Sequence, residues 1–300
     1  MDFSQVTDVV IPEGNVVRIE SGGVVLWSKQ VYSEPFYIEN RSTQQGTLTI
    51  TSQNISGTPR ITVQKSSDGS TWTSVGTTAL GSSISTTVPA KGKLYLRCRT
   101  DGWCYTNDSS SFPEAYNYMQ FDKQHNVGGN ILSLLYGDTF AGQRTISQYN
   151  YSNFNFAGMF SGNYNLIDAS RLLLPSAVKK NMCSLMFAGC SGLIAAPALP
   201  ATALETWCYS QMFSGCSNLA TAPALPALTL KNNCYENMFF GCSSLNYIKA
   251  LFTTTPSSTY TCGWVDGVAA SGTFVKNSAA GWSLSGINGI PSGWTVLSAS

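Results

Sequence analysis

A 300-residue chain with 43% hydrophobic but only 11% charged residues falls far below the roughly 25% charged residues usual in soluble domains. Its net charge is +1 and its longest basic run is Lys179-Lys180, which argues against nucleic acid and against an electrostatic membrane-surface binder. The 7 Trp, 14 Tyr and 14 Phe exclude a disordered chain, and the length allows about two or three domains.

Met1-Asp2-Phe3-Ser4-Gln5 has neither a positive n-region nor an apolar h-region, so no export signal is expected. Even the richest apolar stretch, Leu193 to Leu204, is broken by Pro197 and Pro200, so no membrane insertion is expected. Residues 1–30 read as a small β unit. Val9-Val10-Ile11 forms one strand, and Val16 to Glu20 and Val24 to Trp27 flank a turn at Ser21-Gly22-Gly23. A hairpin of this size is marginal alone. It must pack on something larger, which makes Val10, Ile11, Val25, Leu26 and Trp27 candidate anchoring residues.

Residues 31–120 predict an Ig-like β-sandwich. Strand candidates lie at Phe36-Tyr37-Ile38, Thr47 to Ile50, Arg60 to Gln64, Trp72 to Val75 and Lys93 to Arg97. Ser67-Asp68-Gly69-Ser70-Thr71-Trp72 resembles a shortened sialidase Asp-box, a structural turn rather than a catalytic one. Residues 121–154 form a bridge, or an N-terminal cap for the residues beyond 154, and the glycines Gly128-Gly129 make no dinucleotide fingerprint.

Over residues 155–250 the chain repeats itself. Met159-Phe160-Ser161-Gly162, Met186-Phe187-Ala188-Gly189, Met212-Phe213-Ser214-Gly215 and Met238-Phe239-Phe240-Gly241 recur 27, 26 and 26 residues apart, each followed by a leucine at fixed offset (Leu166, Leu193, Leu219, Leu245). A period of about 20–29 with registered leucines is the leucine-rich-repeat range, in which one rung cannot bury its own apolar face and rungs stack. The pairs Cys208/Met212 and Cys234/Met238 are four apart, which predicts one face of a short helical turn, ended by the following glycine. The Ala-Pro-Ala-Leu-Pro segments at 196–200 and 222–226 predict an extended stretch with few backbone pairings. Residues 251–300 break the period. Trp264, Phe274, Trp282, Ile290 and Trp294 suggest a C-terminal cap.

The run Cys-Tyr-x-x-Met-Phe-x-Gly-Cys-Ser-x-Leu at 208–219 and 234–245 resembles the BspA-type leucine-rich repeats of surface proteins from gut Bacteroidetes and their phages, including crAss-like phages. So does Gly272 to Asn277 with Gly289-Ile290-Pro291-Ser292-Gly293-Trp294, and the N-terminal segment is similar to the opening of many phage structural proteins. The resemblance implies a virion surface structural protein, a head-fibre, decoration or tail-fibre component, rather than an enzyme. Such a protein is assembled in the host cytoplasm and reaches the outside by lysis, so it needs no signal peptide. Implied partners are other virion proteins through the N-terminal segment and a host surface protein or glycan. Fibre proteins are commonly trimeric, although no heptad run here argues for a coiled coil. The alternatives are a bacterial adhesin of prophage-like origin and a carbohydrate-active enzyme.

Nothing in the residues calls for a cofactor or a metal. Nine cysteines without Cys-x-x-Cys suggest reduced thiols; Cys190, Cys216 and Cys242 recur once per rung as a buried ladder, while Cys98 and Cys104 could pair. His125, the one histidine, reads as a surface residue in a polar loop, and Asp138, Asp168, Glu205 and Glu236 form no evident acid pair. The position inside Met-Phe-x-Gly tolerates both serine and phenylalanine, which predicts an exposed Phe240. Trp207, Tyr209 and Tyr235 lie near it in the repeat frame, and all four are candidates for stacking on a sugar or anchoring a protein contact. The competing reading, packing against the next rung or the cap, carries more weight.

Overall fold

Short runs of Val, Ile, Thr and Ser between turns favour extended backbone, and the chain is mainly β, with several sheets. The computed structural model describes 8–10, 18–21 and 24–28 in backbone only, and 33–52, 61–79, 81–99, 117–146 and 156–299. The first three strands, β1 (Asp8–Val10), β2 (Arg18–Ser21) and β3 (Val24–Ser28), form an antiparallel sheet in chain order. Ser21 pairs with Val24, as a hairpin at this point requires. Ile11, and the side chains of Val10, Val25, Leu26 and Trp27, lie outside the described residues.

The next strands are β4 (Tyr37–Asn40), β5 (Gly46–Ser52), β6 (Thr62–Ser66), β7 (Thr73–Thr77), β8 (Ser83–Val88) and β9 (Lys93–Arg99). They are followed by β10 (Asn117–Phe121), β11 (His125–Asn130), the single-turn helix α1 (Ser133–Tyr136) and β12 (Leu166–Leu173). Two sheets result, β10-β5-β8 and β12-β11-β4-β9-β6-β7. In β5 the alternation is explicit: Leu48, Ile50 and Ser52 face inward, and the hydroxyl of Thr51 meets Ser83 on β8 at 2.8 Å. Leu48, Ile50, Met119 and Phe121 of one sheet and Ile38, Val63, Leu94 and Leu96 of the other belong to one buried cluster.

The larger sheet crosses both sequence boundaries at 120/121 and 154/155. β11 pairs antiparallel with β4 and parallel with β12, so the bridge segment is an interior strand between the first sheet residues and the first repeat. His125 is therefore buried rather than on a surface loop, at 1% exposure. Its Nδ1 lies 2.9 Å from the Lys123 carbonyl, its ring packs edge-on against Phe121, and burial pulls its pKa down to about 4. The glycines of β11 have a steric reason. A Cβ on Gly129, whose φ is +76°, would come within 2.0 Å of the Pro35 carbonyl oxygen.

Asp68 does organise a turn. Its Oδ1 accepts the Ser70 and Thr71 N–H groups at 2.8 Å each, which holds its carboxyl well below the usual carboxylate range. Trp72, beside it, carries the Arg97 guanidinium 4.2 Å from its ring centroid, and Arg97 also pairs with Asp138.

The rest of the chain contains β13 (Tyr247–Ala250), the one-turn helix α2 (Ser258–Thr261), β14 (Thr273–Asn277) and β15 (Thr295–Ala299), with β13, β14 and β15 parallel and adjacent. Elsewhere in the repeats the extended stretch is reduced to isolated parallel bridges, Asp168 with Ala195, Thr221 with Tyr247 and Leu225 with Ala250. Trp264, Phe274, Trp282, Ile290 and Trp294 are all buried.

Candidate contact surface

The Met-Phe segments do not form the helical turn that their four-residue spacing suggests. Non-glycine residues adopt left-handed φ at Asn181, Leu185, Trp207, Gln211, Asn233 and Asn237, and glycines do so at Gly189, Gly215 and Gly241. A left-handed residue at every fourth position is incompatible with a right-handed α-helix. The backbone instead runs as consecutive turns whose N–H groups alternate in destination. Ser184, Met186, Ala188 and Cys190 donate three residues back within the rung, whereas Cys183, Leu185, Phe187 and Gly189 donate to Cys208, Ser210, Met212 and Ser214 of the next. Every second N–H therefore ties neighbouring rungs together.

This geometry sorts the side chains by phase. The two residues after each non-glycine left-handed position point inward, which buries Met182/Cys183, Met186/Phe187, Cys208/Tyr209, Met212/Phe213, Cys234/Tyr235 and Met238/Phe239. The inward rings form a column: Phe160–Phe187 at 5.3 Å, Phe187–Phe213 at 5.4 Å and Phe213–Phe239 at 5.9 Å, closed by Trp264. The cysteine after each rung glycine donates its thiol to the preceding rung, Cys190 to the Phe160 carbonyl, Cys216 to Phe187 and Cys242 to Phe213.

Tyr209 and Tyr235 are consequently not surface groups. Both are 1% exposed, and they stack on each other at 6.2 Å because they share the inward phase of Phe213 and Phe239. A ligand cannot reach them. Phe240 has the outward phase of Ser214 and Ala188 and is 47% exposed. Trp207 is half-buried at a left-handed position, with φ of 57°. Lys180 Nζ lies 5.4 Å from its ring centroid, and its indole N–H reaches the Asn233 amide oxygen at 2.6 Å when that amide donates to the Thr259 carbonyl. Of the four candidate contact aromatics, the structure leaves two available, Trp207 and Phe240.

The backbone stack also outlasts the sequence motif. Tyr235, Asn237, Phe239 and Gly241 donate to Tyr260, Cys262, Trp264 and Asp266 with the same offset as between earlier rungs. This fifth rung puts Trp264 where methionine stood and Val268 where cysteine stood, so side-chain matching ends before the backbone repeat does.

Burial sets the thiol chemistry. Desolvation pushes Cys183, Cys190, Cys234 and Cys242 up to about 12 and raises Cys98, Cys208 and Cys216 as well, whereas Cys262 is exposed. Cys98 is a free buried thiol, and Cys104 lies outside the described residues. Treating the folded protein with a chromogenic disulfide reagent at pH 8 should label Cys262 rapidly and the buried cysteines only after denaturant is added. Rapid labelling of the rung cysteines in the folded state would contradict their placement.

Among the described residues no hydrogen-bonded His–nucleophile pair stands out, and no cluster of three or more His, Cys, Asp or Glu able to hold a metal ion occurs. No family model, no curated protein and no solved structure matches this chain.

Proposed function

We propose that this chain is a surface structural component of a phage virion, a head-fibre, decoration or tail-fibre protein, that presents an adhesive repeat domain to a host glycan or surface protein. In this reading residues 1–30 anchor the chain to other virion proteins, residues 31–120 are an Ig-like β-sandwich, and a leucine-rich-type solenoid with its cap makes the outward contact. The protein acts by binding and carries no catalytic centre. It assembles in the host cytoplasm and works at the particle surface as a homo-oligomer, a trimer as in other fibres.

The observation that carries the reading is the division of labour within a rung. Inward positions repeat Met, Phe, Cys and Leu nearly unchanged, while the outward position reads Ser161, Ala188, Ser214 and Phe240; at one left-handed position the half-buried Trp207 and Asn233 stand where the second rung has a fully buried Asn181. A stack that holds its core constant and varies its face is suited to recognition.

The repeat supplies its own test substitutions. Trp207→Asn installs the residue found in both flanking rungs and relieves a left-handed tryptophan, and Phe240→Ser installs the residue of two other rungs. The double variant should therefore stay within about 1 kcal/mol of the parent in urea unfolding. Full-length protein should bind intact Bacteroidetes cells, less so cells stripped of capsule, and the double variant should lose most of that binding. Equal binding by parent and variant would move the contact surface elsewhere; no binding to any cell surface would reject the adhesive reading. Deleting residues 1–30 should abolish incorporation into particles.

A further inference from the structure

The first rung departs from the others where it meets the sheets. Later rungs read Cys-Ser-Gly, Cys-Ser-Asn and Cys-Ser-Ser after the glycine, but the first reads Asn163-Tyr164-Asn165. Asn163, and Asn165 at a position where one later rung also carries asparagine (Asn218), have structural explanations. Asn163 reaches beyond the stack, its Nδ2 lying 3.4 Å from the Met119 carbonyl and 3.3 Å from His125 Nε2. Asn165 Nδ2 lies 3.4 Å from the Phe121 carbonyl. A cysteine or serine could not span these gaps, so both asparagines dock the stack onto β10 and β11.

Tyr164 has no such explanation. It replaces Ser191, Ser217 and Ser243 of the other rungs, it is 67% exposed, and among the described residues its ring and hydroxyl have no partner. It lines an open cleft of about 260 Å³ between the first rung and the β10-β5 edge, together with Thr47, Gln120, Asp122, Asn163 and Asn165. The cleft exists because the rung glycine column ends there. A Cβ on Gly189 would meet Gly162 at 3.5 Å and one on Gly215 would meet Gly189 at 3.5 Å, but one on Gly162 would meet nothing within 4 Å. Asp122 is held in place by the Thr47 N–H, which donates to its Oδ1 at 2.7 Å.

We infer that this cleft binds a neutral hexose unit of a glycan. An exposed phenol ring offers a flat apolar face for the C–H face of a pyranose. The Gln120 amide, the Asp122 carboxylate and the Thr47 hydroxyl supply donors and acceptors for vicinal hydroxyls. Among the described residues Asp122 is the only charged one lining the cleft, and Lys123 Nζ, 3.8 Å from its other carboxylate oxygen, is engaged with it, so the lining offers no free cation to hold an anionic sugar. Its volume lies below the roughly 300–1,000 Å³ of drug-sized sites, so it admits one sugar unit at a time. The inference deepens the attachment reading proposed above and rests on it for its biological sense, but the chemistry can be tested separately.

Saturation-transfer NMR on the full chain, with galactose, glucose, mannose and N-acetylglucosamine as neutral probes and glucuronate as the anionic one, decides it. At least one neutral sugar should receive saturation and glucuronate should not. Tyr164→Ser, which installs the residue of the other rungs, should weaken binding about tenfold, and Tyr164→Phe should retain it. Absence of transfer to all four neutral probes, or equal transfer to the Tyr164→Ser variant, overturns the site. Cell attachment that persists without sugar binding removes the cleft and leaves the adhesive function standing. Sugar binding without cell attachment does the reverse.

Discussion

Above pH 9 the folded protein is expected to unfold cooperatively over about one pH unit. The seven buried thiols Cys98, Cys183, Cys190, Cys208, Cys216, Cys234 and Cys242 keep their protons to higher pH in the folded chain, whereas in the unfolded chain they ionise near pH 8.5. Their folded pKa values are all raised, to about 12 for Cys183, Cys190, Cys234 and Cys242, so the stability they contribute is full below about pH 8.5 and is lost as pH climbs above it. Each fully differential thiol changes stability by about 1.4 kcal/mol per pH unit, and the seven together by roughly 10. A domain stable by about 5–15 kcal/mol does not survive a slope of that size for long. Tyr209 and Tyr235, whose hydroxyls burial also raises well above 10, add to it at higher pH. On the acid side the sign reverses for His125. Its depressed pKa near 4 means the unfolded chain takes up the proton first, so stability falls as pH drops from about 6.5 toward 4. Urea midpoints measured under reductant from pH 4 to 10.5 should trace a dome with a steep alkaline side. A midpoint unchanged between pH 8 and 10.5 would show that the thiols are not buried in the folded state.

What was legible in the sequence was the period, and what was not legible was the backbone that realises it. Residues four apart share a face both in an α-helix and in a chain of four-residue turns, so Cys208 and Met212 point the same way in either. The discriminating signal was the residue between them. Asn233, Asn237 and Gly241 fall at successive fourth positions, and Asn and Gly are the residues that tolerate left-handed backbone. Tryptophan, leucine and glutamine at the equivalent positions of other rungs obscured it. The same phase error placed Tyr209 and Tyr235 beside Phe240 in the frame, although they point inward with Phe213 and Phe239. Strands with apolar alternation, such as β4, β5, β6 and β9, were legible, while β8 (Ser-Ile-Ser-Thr-Thr-Val) and β11 (His-Asn-Val-Gly-Gly-Asn) were not. The interior position of β11 depends on β4 and β12, the second of which lies some forty residues downstream, and no local pattern records that. Tyr164 could have been found, because it is a lone aromatic where three other rungs carry serine.

Replacing Phe213 with alanine should cost about 3–5 kcal/mol, the range for emptying a buried phenylalanine site. Phe213 is 0% exposed and sits mid-column, stacked nearly parallel to Phe187 on one side and Phe239 on the other, with interplanar angles of 4° and 7°. Its backbone is tied to the next rung as well: its N–H donates to the Met238 carbonyl and its carbonyl accepts the Cys242 thiol, besides the Cys216 N–H of its own rung. Those bonds keep neighbouring rungs in register, so the structure cannot collapse into the space the ring leaves, which places the loss toward the upper end. In a stack where each rung touches only its neighbours, the cost concentrates at one interface and cooperativity across it drops. Urea unfolding of Phe213→Ala should therefore show a lower midpoint and a broadened transition, and hydrogen exchange should quicken at Phe187 and Gly189, whose N–H groups cross that interface, before it quickens in β5 or β9. Phe213→Leu, which keeps most of the apolar contact, should lose less than half as much. A loss below about 1 kcal/mol for the alanine variant would mean that the ring column does not hold the rungs together, and that the alternating inter-rung hydrogen bonds do so unaided.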